Sequence, residues 1–321
     1  MPRFNLPDPG KQVYIATFLG RVREYGLHSA LGNAARRVDS ATLRRELTAH
    51  APADGLALLQ GTGVRDEMVF ATPTLLRTAP ALLTYYRLLL GVSQKGFYAA
   101  STGLNAVQAM EKRGEITPQA DPLIEDLCTD LNAALATLLH ALPNDSLLDN
   151  VNHLPLMTLG AQADGSWRTQ IGSKATRDVF EAMKGIVRAQ NHHYIETAVS
   201  ITVVNNSQRE VTLALAPDPD VVIREDFGAT SEYKAAIEIK GGSDYSNIHN
   251  RAGEAEKSHQ KAHADGAMTC WTIINLDRAD MNRLRQESPT TREWVHLDEV
   301  LTQNGPSWDR LVQITRAAMG I

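Results

Sequence analysis

Cysteine is scarce: Cys128 and Cys270 are the two in 321 residues. Both lie in apolar surroundings, so no disulfide framework is expected and both should stay reduced, as suits a cytoplasm. Long apolar runs are missing too. The longest candidate, around Leu82 to Leu90, is broken by Thr84 and Arg87 and falls well short of the ~20 residues that span a bilayer. The start, MPRFNLPDPGK, has no apolar core of the kind a signal peptide needs. A cytoplasmic protein with no membrane partner is therefore expected. Strong charge of either sign is also lacking. At a net −5 there is no global basic field, so a nucleic acid would have to meet a local positive surface. No repeat or low-complexity tract stands out, which argues against a solenoid. Gly61-Thr62-Gly63 lacks a third glycine and follows a helical pattern, which excludes a phosphate loop.

What is present fits a soluble globular chain: 43% hydrophobic and 21% charged residues, with room for one large domain or two ordinary ones. After a proline-containing arm over residues 1–10, helical spacing runs from Gln12 to about Leu59, with Asp39-Ser40 as a cap before Ala41–Ala49. Pro73 opens a second helical stretch. Tyr85-Tyr86-Arg87-Leu88-Leu89-Leu90 closes on Gly91, a C-terminal cap. Lys95, with Gln94, lies just past that helix end and is a candidate phosphate contact. Asp121 to Leu142 reads as a further helix. From Pro143 to Ser173, Asn, Asp and Gly residues mark turns and a loose connection, so the boundary is set near residue 165: a helical region 1–165, then a second region 166–321. The second region reads as a helix from Ala175 to Tyr194, strands over Ala198–Val204 and Val211–Ala216, and a strand ending at Lys240. A helix over Ile248–Ala264, a strand over Thr269–Asn275 and a helical tail from Met281 follow. On the first of these helices Arg177, Lys184 and Arg188 are assigned to the outer face. Glu196 ends it and is a candidate to lean towards a metal. This order predicts an α/β fold with a mixed sheet flanked by helices, preceded by a largely helical N-terminal region.

The stretch Pro219 to Lys240 carries the chemistry. Asp220 precedes the apolar run Val221-Val222-Ile223. In Ala235-Ala236-Ile237-Glu238-Ile239-Lys240, period two puts Ala236, Glu238 and Lys240 on one face and Ala235, Ile237 and Ile239 on the other. Two acids and a lysine converging from neighbouring strands can hold a divalent cation and activate water. Asp218, also preceded by proline, competes with Asp220 for the first position. Gly241-Gly242 follows, where the backbone can approach something bulky. In the next helix Ile248, Ala252, Ala255, His259 and Ala262 share a packing face, while Asn247, Arg251, Glu254 and Ser258 form a stripe at the mouth of the site. Glu254 is either a metal ligand or its hydrogen-bond acceptor, or else a surface partner of Arg251 or Lys257. His259 and His263 lack any companion of a zinc motif and are assigned packed or solvated roles.

Pro219-Asp220 followed by Glu238-Ile239-Lys240, within that order of elements, resembles the PD-(D/E)xK nuclease fold. The longer run Glu238-Ile239-Lys240-Gly241-Gly242-Ser243-Asp244, with Asn247-Ile248-His249-Asn250-Arg251 and Glu254-Ala255-Glu256-Lys257-Ser258, is similar to the XcyI and XmaI type II restriction endonucleases. The resemblance implies Mg²⁺ as cofactor and double-stranded DNA as substrate, with Asp220 and Glu238 as metal-binding acids and Lys240 as the catalytic lysine. It also implies hydrolysis at the palindrome CCCGGG, cut after the first C to leave a 5′ overhang. Another group of enzymes reading CCGG cores has a helical glutamate fourteen positions after the lysine, where Glu254 stands. The arginine-rich motif of that group is not matched in residues 244–247. On this view residues 166–321 are the nuclease core, and residues 1–165 embrace DNA or form a dimer. A palindrome suits a two-fold homodimer. Asn247, Arg251 and Lys95 are the candidate DNA contacts, Arg251 as a reader of guanine. Two rivals stand beside this: a structure-directed nuclease of DNA repair or recombination, and a non-catalytic DNA-binding protein whose acids are ordinary surface charges.

Overall fold

The computed structural model describes residues 9–23, 28–143, 146–190, 193–241, 247–277 and 279–321, the side chains of 21–23 excepted. The arm residues 1–8, Asn144-Asp145 and Gly242 to Ser246 lie outside these, and with them the second glycine of Gly241-Gly242. The chain divides into two compact units, Met1–Trp167 and Arg168–Ile321.

The first unit is helical. It contains α1 (Gly10–Arg23), α2 (His28–Ala35), α3 (Ser40–His50), α4 (Ala53–Leu59), α5 (Pro73–Thr78), α6 (Leu83–Leu89), α7 (Gln94–Phe97), α8 (Gln108–Arg113) and α9 (Ile124–Ala141), joined by 3₁₀ turns. Asp39 caps α3 by accepting from the Thr42 amide. Gly91, at φ +73°, ends the helical stretch that α6 completes. Helix α6 is buried on every side. Its Tyr85 and Tyr86 hydroxyls donate to the carbonyls of Met68 at 2.6 Å and Glu67 at 2.9 Å. Arg87 is buried and pairs with Glu111 at 2.6 Å, which also accepts from Gln94 and Tyr98. That segment is therefore a satisfied polar knot inside a core.

The expected loose connection after Pro143 is instead helix. Leu147–Arg188 is one element, α10, 42 residues long with Pro155 inside it. Leu147, Val151, Pro155, Leu159 and Ala163 are buried at four-residue spacing, a stripe that outweighs the turn-forming residues between them. The helix ends at Arg188, and Tyr194 belongs to a strand.

The second unit holds a seven-stranded mixed sheet in the order of the chain: β1 (Tyr194–Glu196), β2 (Ser200–Val204), β3 (Glu210–Leu215), β4 (Val221–Asp226), β5 (Ser231–Lys240), β6 (Cys270–Ile274) and β7 (Thr291–His296). Pairing is antiparallel from β1 to β5 and parallel from β5 through β6 to β7. One face buries Ile201, Leu213, Ile223, Ile237, Ile239, Trp271 and Val295 against Val179, Met183 and Val187 of α10 and against α13 (Leu297–Thr302) and α14 (Pro306–Met319). The other face meets α11 (Ile248–Ala264) through small side chains, Ala252, Ala255 and Ala262, which are fully or nearly fully buried. α12 (Met281–Glu287) packs beside α11. The tail is thus not all helical. Thr291–His296 forms β7. Lys184 is buried rather than outward, paired with Glu181 at 2.6 Å and Glu196 at 3.0 Å.

Candidate active site

The site is built on β4 and β5. Val221 pairs with Ile237 and Val222 with Ala236, so the next position along each strand holds Asp220 on one and Glu238 on the other. Ala236 is buried on the α11 side and Ile237 and Ile239 on the opposite side, so Glu238 and Lys240 face α11. Asp220 Oδ2 accepts from the Ile239 amide at 2.8 Å, which ties the start of β4 to the end of β5. Lys240 Nζ lies 2.8 Å from Glu238 Oε1 and 3.5 Å from Glu254 Oε2 of α11. Asp220, Glu238, Lys240 and Glu254 therefore gather at one end of the central strands. Glu254 is 64% exposed and Glu238 9%, so the pair on β4–β5 is inside and the helical acid is at the rim.

Burial holds both strand carboxyls above their ordinary values. For Asp220 the Ile239 amide and Lys240 oppose the rise; for Glu238 the charge of Asp220 adds to it and Lys240 opposes it. Burial alone would pull the Lys240 ammonium down, but Glu238, Glu254 and Asp220 outweigh it and the net shift is up. Two desolvated, mutually repelling carboxylates are a donor set that a hard divalent cation relieves. A Mg²⁺ site of one or two carboxylates completed by water and phosphate oxygens suits them. Asp218 is placed differently. It pairs with Lys261 at 2.7 Å, which with a Ser258 hydrogen bond holds its carboxyl below the usual range. Its charge is engaged by α11, while Asp220 points to Glu238's strand.

A match to the XcyI restriction endonuclease family covers residues 17–321. The chain belongs to that family. The type II restriction enzyme Cfr9I of Citrobacter freundii is 39% identical over 309 residues, 94% of this chain and 92% of that protein. The type II restriction enzyme XcyI of Xanthomonas campestris pv. cyanopsidis is 38% identical over 311 residues, 95% and 92% of the two chains. As a member of the XcyI family the chain is a type II restriction endonuclease.

For this endonuclease the remaining candidates divide. Asn247 precedes α11 and accepts from Asn250 at 3.5 Å; Arg251, half-buried, follows one turn later on the same helix as Glu254. Lys95 is exposed in the first unit, whereas the neighbouring Gln94 amide donates to Glu111 at 3.0 Å and is an internal group. Glu196 does not lean towards the site. It sits on edge strand β1, held by Lys184 and Arg188, which bring its carboxyl down to about 2. The long cations reach it because α10 ends where β1 begins.

Lys261 carried no signal in the sequence, yet it is the residue that engages Asp218. Sequence reasoning also missed the polar clasp beneath α11. Glu256 accepts from the Thr290 amide at 3.2 Å, the Thr290 hydroxyl at 2.6 Å and the Ser288 hydroxyl at 3.0 Å. His259, fully buried, meets the Thr291 hydroxyl at 3.1 Å, and burial lowers its pKa to about 4. Among the described residues Asp277, His296 and Asp298 also bring ligand-type atoms within 4.8 Å of one another, past the ends of β6 and β7. Both aspartates are exposed, and His296 already faces Asp277 at 3.2 Å.

Proposed function

We propose that this endonuclease hydrolyses phosphodiesters of double-stranded DNA at a palindrome, CCCGGG, after the first C, leaving 5′ overhangs, with Mg²⁺ as its cofactor. The observation that carries this reading is the meeting of Asp220, Glu238 and Lys240 on one face of β4–β5, with the ammonium 2.8 Å from Glu238. Asp220 and Glu238 would hold the cation. When bound it neutralises charge on the scissile phosphate and lowers the pKa of water. Lys240, kept protonated by its acids, places positive charge where an attacking water and the developing pentavalent phosphorus need it. Glu238, through its contact with Lys240, orients that ammonium. The Ile239 amide fixes the rotamer of Asp220, so the carboxylate is aimed before the cation arrives. Glu254 serves at the rim, as a further ligand or as an acceptor for cation-bound water. Asn247 and Arg251 approach the DNA from α11, with Arg251 suited to a guanine edge, and Lys95 contacts phosphate. Residues 166–321 act as the nuclease core, and residues 1–165 serve DNA binding or dimerisation of a homodimer.

The test is incubation of the purified protein with a long DNA of known sequence and Mg²⁺, followed by sequencing of the ends. Discrete ends within CCCGGG are expected. Ends at no common sequence would remove the site-specific reading. Lys240→Ala and Asp220→Ala should each abolish cutting in a folded protein, a loss of at least about 10³-fold for removal of a charge that acts in the transition state. An active Asp220→Ala protein would move the role to Asp218.

A further inference from the structure

The first 45 residues hold eight lysines and arginines against three acids, in a chain whose net charge is −5. Part of that excess is gathered on one short piece of structure. α2 and α3 are joined by the four residues 36–39. Leu31, Ala34 and Ala35 of α2 and Leu43 and Leu47 of α3 are buried in the helical core, with Val38 of the connection packed against it. Those anchors fix which side of α3 faces outward. Ala41, Arg44, Arg45 and Thr48 are exposed and fall at the spacing of one helical stripe, next to exposed Arg36 and Arg37 in the connection.

None of Arg36, Arg37, Arg44 and Arg45 has an ion-pair partner among the described residues; Arg36 donates to Asn33. The one acid of α3, Glu46, is turned inward and accepts from the Thr74 amide at 2.9 Å and from its hydroxyl. Asp39 is engaged as the cap. The outward face is thus positive with no internal compensation, and Ala41 and Thr48 beside the arginines are small enough to allow close approach. Arginine forks match phosphate geometry, and a helix with a basic, small-residue face has the width of a major groove.

We propose that the outward face of α3, with the connection before it, docks on duplex DNA through Arg37, Arg44 and Arg45, its arginines neutralising backbone phosphates. This rests on the reading of the protein as an enzyme of double-stranded DNA, and adds a binding surface made by residues other than those that cut.

The experiment measures binding of the full chain to a duplex containing CCCGGG by fluorescence anisotropy, in EDTA so that no cutting occurs, across a salt series. Arg44→Ala/Arg45→Ala should bind about 10- to 100-fold more weakly at moderate salt. The slope of log affinity against log salt should fall by about two, roughly 0.9 for each phosphate that is no longer neutralised. Arg44→Lys/Arg45→Lys should restore most of the slope. Arg283→Ala, at an exposed arginine paired with Glu287, should leave both quantities unchanged. Melting curves of each variant establish that it is folded. Wild-type affinity and slope in the double alanine variant would overturn the inference and leave the nuclease reading intact. A wild-type protein that binds with the expected arginine dependence yet cuts nothing with Mg²⁺ would defeat the nuclease reading and uphold the surface. A protein that binds no duplex in EDTA would overturn the surface, and cutting of the same duplex with Mg²⁺ would decide the nuclease reading separately.

Discussion

At the scale of single residues, Asp220 and Glu238 are acids held above their ordinary values by burial. Protons therefore compete with a cation at higher pH than at an exposed carboxylate, whose pKa is about 4. Acidification should weaken apparent Mg²⁺ affinity, read from Mg²⁺ titrations of cleavage between about pH 8 and pH 5.5. The same shifts have a stability consequence. A carboxyl whose folded pKa exceeds its unfolded one binds more protons in the native state, so stability falls as pH rises from the unfolded value of about 4 through the raised folded one. Asp220→Asn keeps an acceptor for the Ile239 amide and removes the buried charge. It should abolish cleavage while raising the melting temperature of the metal-free protein at neutral pH. Gly241 is fixed by a different constraint. A Cβ there would collide with Ala175 and lie 3.3 Å from the Gly172 Cα, so the backbone after Lys240 is pressed against α10. Gly241→Ala should cost about 1–3 kcal/mol, as overpacking does, and lower cleavage by shifting Lys240. The sequence showed that something bulky could approach this glycine. It could not show that the bulky object is the protein's own helix.

At the scale of elements, β5 was legible because alternation of apolar and polar residues is a local signal, and β4 because Val221-Val222-Ile223 is a bounded apolar run. The helix read from Ala175 is the end of α10, but the first part of α10, β1 and β7 were not legible. The turn-forming residues of α10 hid a stripe that only the core makes visible, and Thr-Arg-Glu-Trp-Val-His reads as a strand only when β6 lies beside it. Partners across elements were invisible for the same reason: Lys184 and Glu196 meet only because α10 and β1 adjoin. The end of β4 away from Asp220 carries another such group. Glu225, buried, accepts from Asn205 at 2.6 Å, Arg209 at 2.7 Å and Lys234 at 2.9 Å. Burial alone would raise its carboxyl, but these partners bring it down to about 2. The depressed value means its contribution is complete above the unfolded pKa and vanishes as pH falls from there towards 2. Glu225→Gln, which strands two cations, should cost about 3 kcal/mol at pH 7 and much less near pH 2–3, seen in denaturant unfolding at the two pH values.

At the scale of the whole molecule, a palindromic target predicts a pair of chains. Analytical ultracentrifugation should give about twice the 35.1 kDa of one chain, with tighter association when DNA is present. Within the second unit resistance to opening should be uneven. One side of its sheet is closed by large aliphatic and aromatic groups, while α11 rests on the other through Ile248 at its start, three alanines and the clasp of Glu256 and His259. Amide exchange in α11 should consequently outrun that of β4, β5 and β6. An excursion that lifts this helix would carry off Glu254 and Arg251 together while the sheet stayed closed, a way for the enzyme to fall silent without melting.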